Sequence, residues 1–331
     1  MIFLSLLHRK CSFITGATAT GKTKFMNSKI MEFDKNEQLY VFTQFAEEYE
    51  NTLNEKYGIH NVQDINIDYN KKLDFFSFHY PRNVENFRLY FNTYVETLIY
   101  FLKSAFGVNS NYIPSLRSTI IEMFKAKNIT SLNEPVSSKT SFFYNDFYSI
   151  VAVKIPDLSN YFSYYSPVFL TKEDSIKHIF NPVSLDEYNK NVVLINFQNS
   201  MKYKQIYLNY VLFKIQTLDI RNPSKTNIIF DEISHPHNLF YFFESPRFSM
   251  FEFYFISQND ASLTSLYRIN GQTQDFYLFK TRQFISFNSF LENYSKLSKE
   301  DICSLPIKLA SLKNGEYFSL ADNEFLSFKL N

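Results

Sequence analysis

Residues 9–23 read RKCSFITGATATGKT, from Arg9 to Thr23. The apolar half predicts a short strand ending at Gly16, the polar centre a loop, and the Lys22-Thr23 end a helix running to about Met31. Gly16-Ala17-Thr18-Ala19-Thr20-Gly21-Lys22-Thr23 matches G-x-x-x-x-G-K-[ST], the phosphate-binding loop, or P-loop. Chance produces such a match in roughly one such sequence in a thousand. The pattern has a physical basis. Backbone N–H groups wrap a phosphate only where Cβ atoms are absent, and the following helix N-terminus adds the positive end of its dipole. In that geometry Lys22 reaches the β- and γ-phosphates of ATP and the Thr23 hydroxyl binds Mg²⁺.

The rest of the chain suits such a core. Its 331 residues make one large domain or two small ones, and 45% hydrophobic against 20% charged residues excludes an unfolded chain. Glycine occurs 6 times, and Gly16 and Gly21 take two of those places within one loop. The net charge of +1 leaves no global basic footprint, so any DNA contact must be local. Cys11 and Cys303 are too few for a disulfide framework and are expected to be free, as in a reducing compartment. The apolar start, Ile2 to Leu7, is too short to span a bilayer or form a signal-peptide core, so a cytoplasmic protein with no membrane segment of its own is expected. With 38 Phe, 24 Tyr and no Trp, the composition fits an A/T-rich viral, plasmid or symbiont genome.

Along the chain, Leu39–Thr43 reads as a buried strand and Glu47–Lys56 as a helix stopped by Gly58. The alternation then breaks. Val84–Phe106 carries apolar and aromatic residues at helical spacing, and Ser115–Lys125 forms a second helix entered through Pro114. The aromatic stripe reads as packing within or between subunits. Residues 128–148 and 156–182 read mostly as loops with short helices. Strands return at Val192–Phe197, Thr226–Asp231, Phe251–Ser257 and Gln274–Lys280, with an amphipathic helix over Lys204–Arg221 and a closing hairpin from Glu316–Leu320 and Phe325–Leu330. The expected fold is α/β with a mainly parallel sheet. Three segments follow: residues 1–80 as the P-loop half of the core, 81–190 as a mostly helical insertion, and 191–331 as the second half.

A P-loop needs an acidic partner, and Asn227-Ile228-Ile229-Phe230-Asp231-Glu232 supplies an apolar strand ending in two carboxylates at the sheet edge. Asp231 is expected to hold a Mg²⁺-bound water, and Glu232 to act as general base on the attacking water. Ser257 and Gln258 close the next strand, where Gln258 can sense the γ-phosphate or orient water, or simply cap a loop. Arg247, between these strands, is a candidate arginine finger for a neighbouring subunit, against the plainer role of a surface ion pair; Arg268 and Arg282 are weaker candidates. His235 and His237 lack adjacent third and fourth ligands and read as a loop.

These motifs resemble the FtsK/HerA superfamily of ring-forming DNA-pumping ATPases. GATATGKT is similar to that superfamily's GATGSGKS-like loop, NIIFDE resembles its acidic strand, and FYFISQ, Phe253–Gln258, its glutamine-ending strand. The long interval between Lys22 and Asp231 is similar to branches with a helical insertion there, and the resemblance covers roughly Arg9 to Lys280. It implies a P-loop NTPase core of RecA-like type, with ATP and Mg²⁺ bound between subunits of a homo-oligomeric ring, expected to be a hexamer, that grips double-stranded DNA. Neither a preceding membrane anchor nor an N-terminal barrel is seen, so the resemblance is to a bare motor. Viral genome-packaging ATPases are the nearest type, acting at a capsid vertex in the host cytoplasm, at the assembly site or in the virion. The alternative is an ATPase energising conjugative DNA or protein secretion through a membrane channel. Ala19 and Thr20 replace the family's Gly-Ser, which is expected to stiffen the loop and slow nucleotide exchange.

Overall fold

Short apolar runs bounded by turn residues form the strands, and their order puts the phosphate loop on an inner strand of a sheet. The computed structural model describes residues 10–67, 72–80, 86–133, 139–170, 191–197, 204–221, 225–232, 251–258, 274–281, 298–320, 322 and 324–327. Ile2–Leu7, His235, His237, Arg247, Arg268 and Arg282 lie outside them. Contacts divide the chain into two units, one of Met1–Asn66, Asn189–Phe197 and Ser224–Asn331, the other of Ile67–Tyr188 and Gln198–Pro223.

The first unit carries a sheet of nine described strands: β1 (Lys10–Thr15), β2 (Gln38–Thr43), β3 (Val62–Ile67), β6 (Val192–Phe197), β7 (Thr226–Asp231), β8 (Phe251–Ser257), β9 (Gln274–Phe279), β10 (Glu316–Ser319) and β11 (Glu324–Ser327). Their order is β11-β10-β9-β1-β8-β7-β2-β6-β3. The run from β9 to β6 is parallel, and β10 and β11 extend it antiparallel, so the expected hairpin closes one edge. Parallel neighbours need helical crossovers. After β1 the chain turns into α1 (Lys22–Glu32), and after β2 into α2 (Glu47–Tyr57).

Both helices bury one stripe. Phe25, Met26 and Ile30 of α1 and Tyr49, Leu53 and Tyr57 of α2 pack with Ile14, Val41, Leu194, Ile229 and Ile256 from the strands. Lys56 of α2 donates its ammonium to the carbonyls of Ile30 and Phe33 at the end of α1, where the helix dipole favours a cation. In register on the strands, Phe276, Phe13, Phe255, Phe230 and Phe42 form an aromatic row across β9, β1, β8, β7 and β2, and Phe197 of β6 extends it diagonally from Phe42. Each such pair adds about 0.5–1.5 kcal/mol beyond simple burial.

The second unit pairs β4 (Phe76–His79) with β5 (Lys139–Phe142) antiparallel. Its helices are α3 (Phe87–Phe106), α4 (Ile113–Lys125), α5 (Tyr144–Lys154), α6 (Pro156–Ser163) and α7 (Lys204–Arg221). Asn86 caps α3 by accepting from Leu89 N at 3.0 Å, and Gly107 ends it at φ 62°, a left-handed turn that glycine takes without penalty. Phe78 sits against Phe87, Tyr90, Phe91, Tyr94 and Phe124, so the aromatic stripe is core packing within this unit. Phe76–His79 and Lys204–Arg221 go with the helical residues because β4 pairs with β5 and α7 packs on α3.

The α/β fold with its mainly parallel sheet is the one the sequence predicts. Elements the sequence reading does not separate are β3, β4, β5, α5 and α8 (Lys299–Ala310). In α8 the internal Pro306 breaks the helical signal, while Ser298 caps its start by accepting from Asp301 N at 3.1 Å. Cys11 is buried in β1 and Cys303 exposed on α8, and neither is in a disulfide. No described helix is long and apolar enough to cross a membrane.

Candidate active site

The loop after β1 is held by its neighbours on both sides. Gly16 N donates to Ser257 O at 3.4 Å and Ala17 N to Lys280 O at 2.8 Å, which anchors the loop to the ends of β8 and β9. A Cβ on Gly16 would lie 2.6 Å from Phe279 Cβ, so at this position glycine answers to strand β9, a different cause from the phosphate approach that the motif suggests. Gly21 opens α1 at φ 101°, a conformation that side-chain-bearing residues rarely adopt. Ala19 stands at φ 60°, also left-handed, where the resembled loop has glycine. Thr20 Oγ1 donates to Ala17 O at 2.8 Å and braces the turn from inside.

Lys22 is buried at the start of α1, and its ammonium donates to Gly16 O and Ala17 O, both at 2.9 Å. Burial pulls its pKa down, and the charges of Glu232, Asp231 and Glu48 oppose that pull. The lysine is thus held over the loop with carboxylates nearby, able to exchange carbonyl partners for phosphate oxygens.

Strand β8 lies between β1 and β7, and its register brings the motifs together: Ser257 pairs with Thr15, and Ile256 with Asp231. Gln258, next along, spans the gap. Thr18 Oγ1 donates to Gln258 Oε1 at 2.8 Å, and Gln258 hydrogen-bonds the Glu232 carboxylate. Glu232 stands at φ 55°, a left-handed backbone uncommon for its type, with its N–H on Ile256 O at 3.1 Å. Burial raises its pKa, while the Gln258 hydrogen bond and the Lys22 charge pull it back. Asp231 is 1% exposed, and burial raises its pKa to about 7, against the hydrogen bond from Tyr49.

A cavity of about 700 Å³ opens among these groups, lined by Thr18, Lys22, Thr23, Asp231, Glu232 and Gln258, with Asn27, Phe45, Glu48 and Asn314 completing it. Its size suits a nucleotide. The residues also fit a divalent cation: Thr23 and Asp231 line one space, and Asp231, Glu232 and Glu48 supply carboxylate oxygens around it, the ligand type that a hard cation takes. The structure therefore brings Gly16–Thr23, Asp231, Glu232 and Gln258 together. Arg247 is not among the described residues. Glu48, Tyr49 and Asn27 were not anticipated. They belong to α1 and α2, and no local pattern pairs Tyr49 with Asp231 far along the chain.

No protein-family model and no curated protein matches this sequence. Solved structures do share its fold. VirB4 of Thermoanaerobacter pseudethanolicus superposes with a TM-score of 0.61 at 14% identity, over 100% of this chain and 93% of that one. The plasmid coupling protein TrwB, in complex with ADP and Mg²⁺, does so with a TM-score of 0.50 at 12% identity, over 98% of this chain and 86% of that one. At these identities the likeness establishes the fold, a P-loop NTPase fold, and the functional reading rests on the site.

Proposed function

We propose that this chain is an ATP-driven translocase of double-stranded DNA, the genome-packaging motor of a virus or mobile element, working as a homo-oligomeric ring. The observation that carries the proposal is the convergence of Lys22, Thr23, Asp231, Glu232 and Gln258 on one cavity. The backbone of Gly16–Gly21 and the α1 N-terminus cradle the phosphates, and Lys22 moves from the loop carbonyls to the β- and γ-phosphate oxygens. Thr23 and, through a bound water, Asp231 would hold Mg²⁺, which when bound would neutralise phosphate charge. Glu232 takes the proton of the attacking water as its oxygen bonds to the γ-phosphorus. The β–γ bridging bond breaks, its electrons leave on ADP, and inorganic phosphate departs. Gln258, held by Thr18, orients that water. An arginine from the next subunit, Arg247 first among the candidates, completes the site. Ring assembly lets a few lysines per subunit grip DNA phosphates despite a net charge of +1.

The test is Mg²⁺-dependent ATP hydrolysis by the purified protein with and without linear double-stranded DNA. Hydrolysis stimulated several-fold by DNA is expected; no hydrolysis under either condition overturns the reading. A second reading, an ATPase energising conjugative DNA or protein secretion through a membrane channel, draws support from the likeness to VirB4 and to the plasmid coupling protein TrwB. Hydrolysis indifferent to double-stranded DNA favours it.

A further inference from the structure

Tyr49 is the buried group beside the site to which the reaction gives no part. Its ring belongs to the core stripe of α2 and is 0% exposed, while its hydroxyl donates to Asp231 Oδ2 at 2.7 Å. We propose that Tyr49 is a positioning residue for the divalent cation that accompanies ATP, acting by fixing the Asp231 carboxylate. This rests on the nucleotide-binding reading above.

A carboxylate at the end of a strand can rotate about its last bond, and each rotation presents a different oxygen to the cavity. With Oδ2 held by the phenol, Oδ1 is left to accept from cation-bound water in one orientation. Such outer groups orient metal-binding side chains. The phenol is itself fixed. Strand β2 runs beside β7, with Phe42 opposite Phe230, so α2 begins close to the acidic strand end. Thr43 Oγ1 accepts from Phe45 N at 2.9 Å as the chain turns, and Asn27 Nδ2 of α1 donates to Glu48 O at 2.8 Å. A plainly structural hydroxyl would serve stability alone, whereas this one is aimed at the carboxylate that lines the cavity.

The test uses the full chain and its Tyr49→Phe variant, which removes the hydroxyl and keeps the ring. Binding of a fluorescent non-hydrolysable ATP analogue is measured in EDTA and across a Mg²⁺ titration, with thermal melting as the control for folding. Unchanged affinity in EDTA is expected, with the half-saturating Mg²⁺ concentration raised about tenfold. In an Asp231→Ala background Tyr49→Phe should then add nothing, because its only route is through that carboxylate. Half-saturation unchanged within about twofold, or equal losses with and without Mg²⁺, overturns the proposal, as does an additive effect in the Asp231→Ala background. If the unmodified protein binds no nucleotide at all, the nucleotide-binding reading itself fails.

Discussion

The two sides of the cavity are built by different means. On the loop side, local groups do the work: the backbone of Gly16 and Ala17 ties to β8 and β9, the Thr20 side chain ties to Ala17, and Lys22 folds onto the loop's own carbonyls. On the acidic side, side chains from distant segments meet, with Tyr49 on Asp231 and Gln258 on Glu232. The first side is a contiguous cradle whose geometry comes from neighbouring residues. The second is a set of buried charges whose geometry comes from the sheet register. The loop side should therefore govern whether nucleotide binds, and the acidic side what happens to it.

The largest expected effects separate these roles. Glu232→Gln keeps the shape and the Gln258 contact but removes the base, so turnover should fall by about 10²–10⁴ with nucleotide affinity retained. Lys22→Ala removes charge-assisted hydrogen bonds to phosphate and should weaken nucleotide binding by about tenfold to a hundredfold. Equilibrium binding and steady-state hydrolysis on both variants decide the matter. If Glu232→Gln lost affinity and Lys22→Ala lost only turnover, the division between the two sides would be wrong.

This division also explains what the sequence made legible. The loop side sits in eight consecutive residues, Gly16 to Thr23, whose constraints are local, so a pattern finds it. The acidic pair and Gln258 were readable because each ends an apolar strand, but that β8 lies between β1 and β7 is a property of the sheet order. Tyr49 looks like one more aromatic at helical spacing beside Leu53 and Tyr57, and only the packing of α2 reveals that its hydroxyl leaves the core. Strand β3 hid for another reason: Val62–Ile67 alternates in burial as an edge strand should, but Gln63 occupies an inward position and blurs the pattern.

The charge stored on the acidic side gives a pH signature. Asp231 has an ordinary value near 4 when unfolded and one raised to about 7 when folded. Between those values the folded state holds a proton that the unfolded chain has released, so the nucleotide-free protein loses stability as pH rises through this window. Above about pH 7 the full cost of the buried charge is present. Asp231→Asn removes it, so the variant should melt a few degrees above the unmodified protein at pH 8, with the gap closing toward pH 4. Thermal melts across that range without Mg²⁺ or nucleotide check this, and a gap independent of pH would show that Asp231 is ionised throughout.

The smallest effect probes the loop side. Ala19 is held at φ 60°, where a Cβ crowds the following carbonyl and where the resembled loop carries glycine. Glycine there relieves the strain but gives the unfolded chain more freedom, so the two terms partly cancel. Ala19→Gly should then stabilise the protein by only about 0.5–1 kcal/mol in denaturant unfolding. Its clearer consequence is kinetic. Thr18 and Thr20 fix the loop through side chains that this change leaves in place, so alanine at position 19 restricts mainly the backbone pivot between them. A freer pivot should speed release of bound ADP by about twofold to fivefold, the ratio that such an energy corresponds to. Stopped-flow displacement of a fluorescent ADP measures it. Release unchanged by Ala19→Gly would mean that the ties to β8 and β9, and not the left-handed alanine, set the stiffness of the cradle.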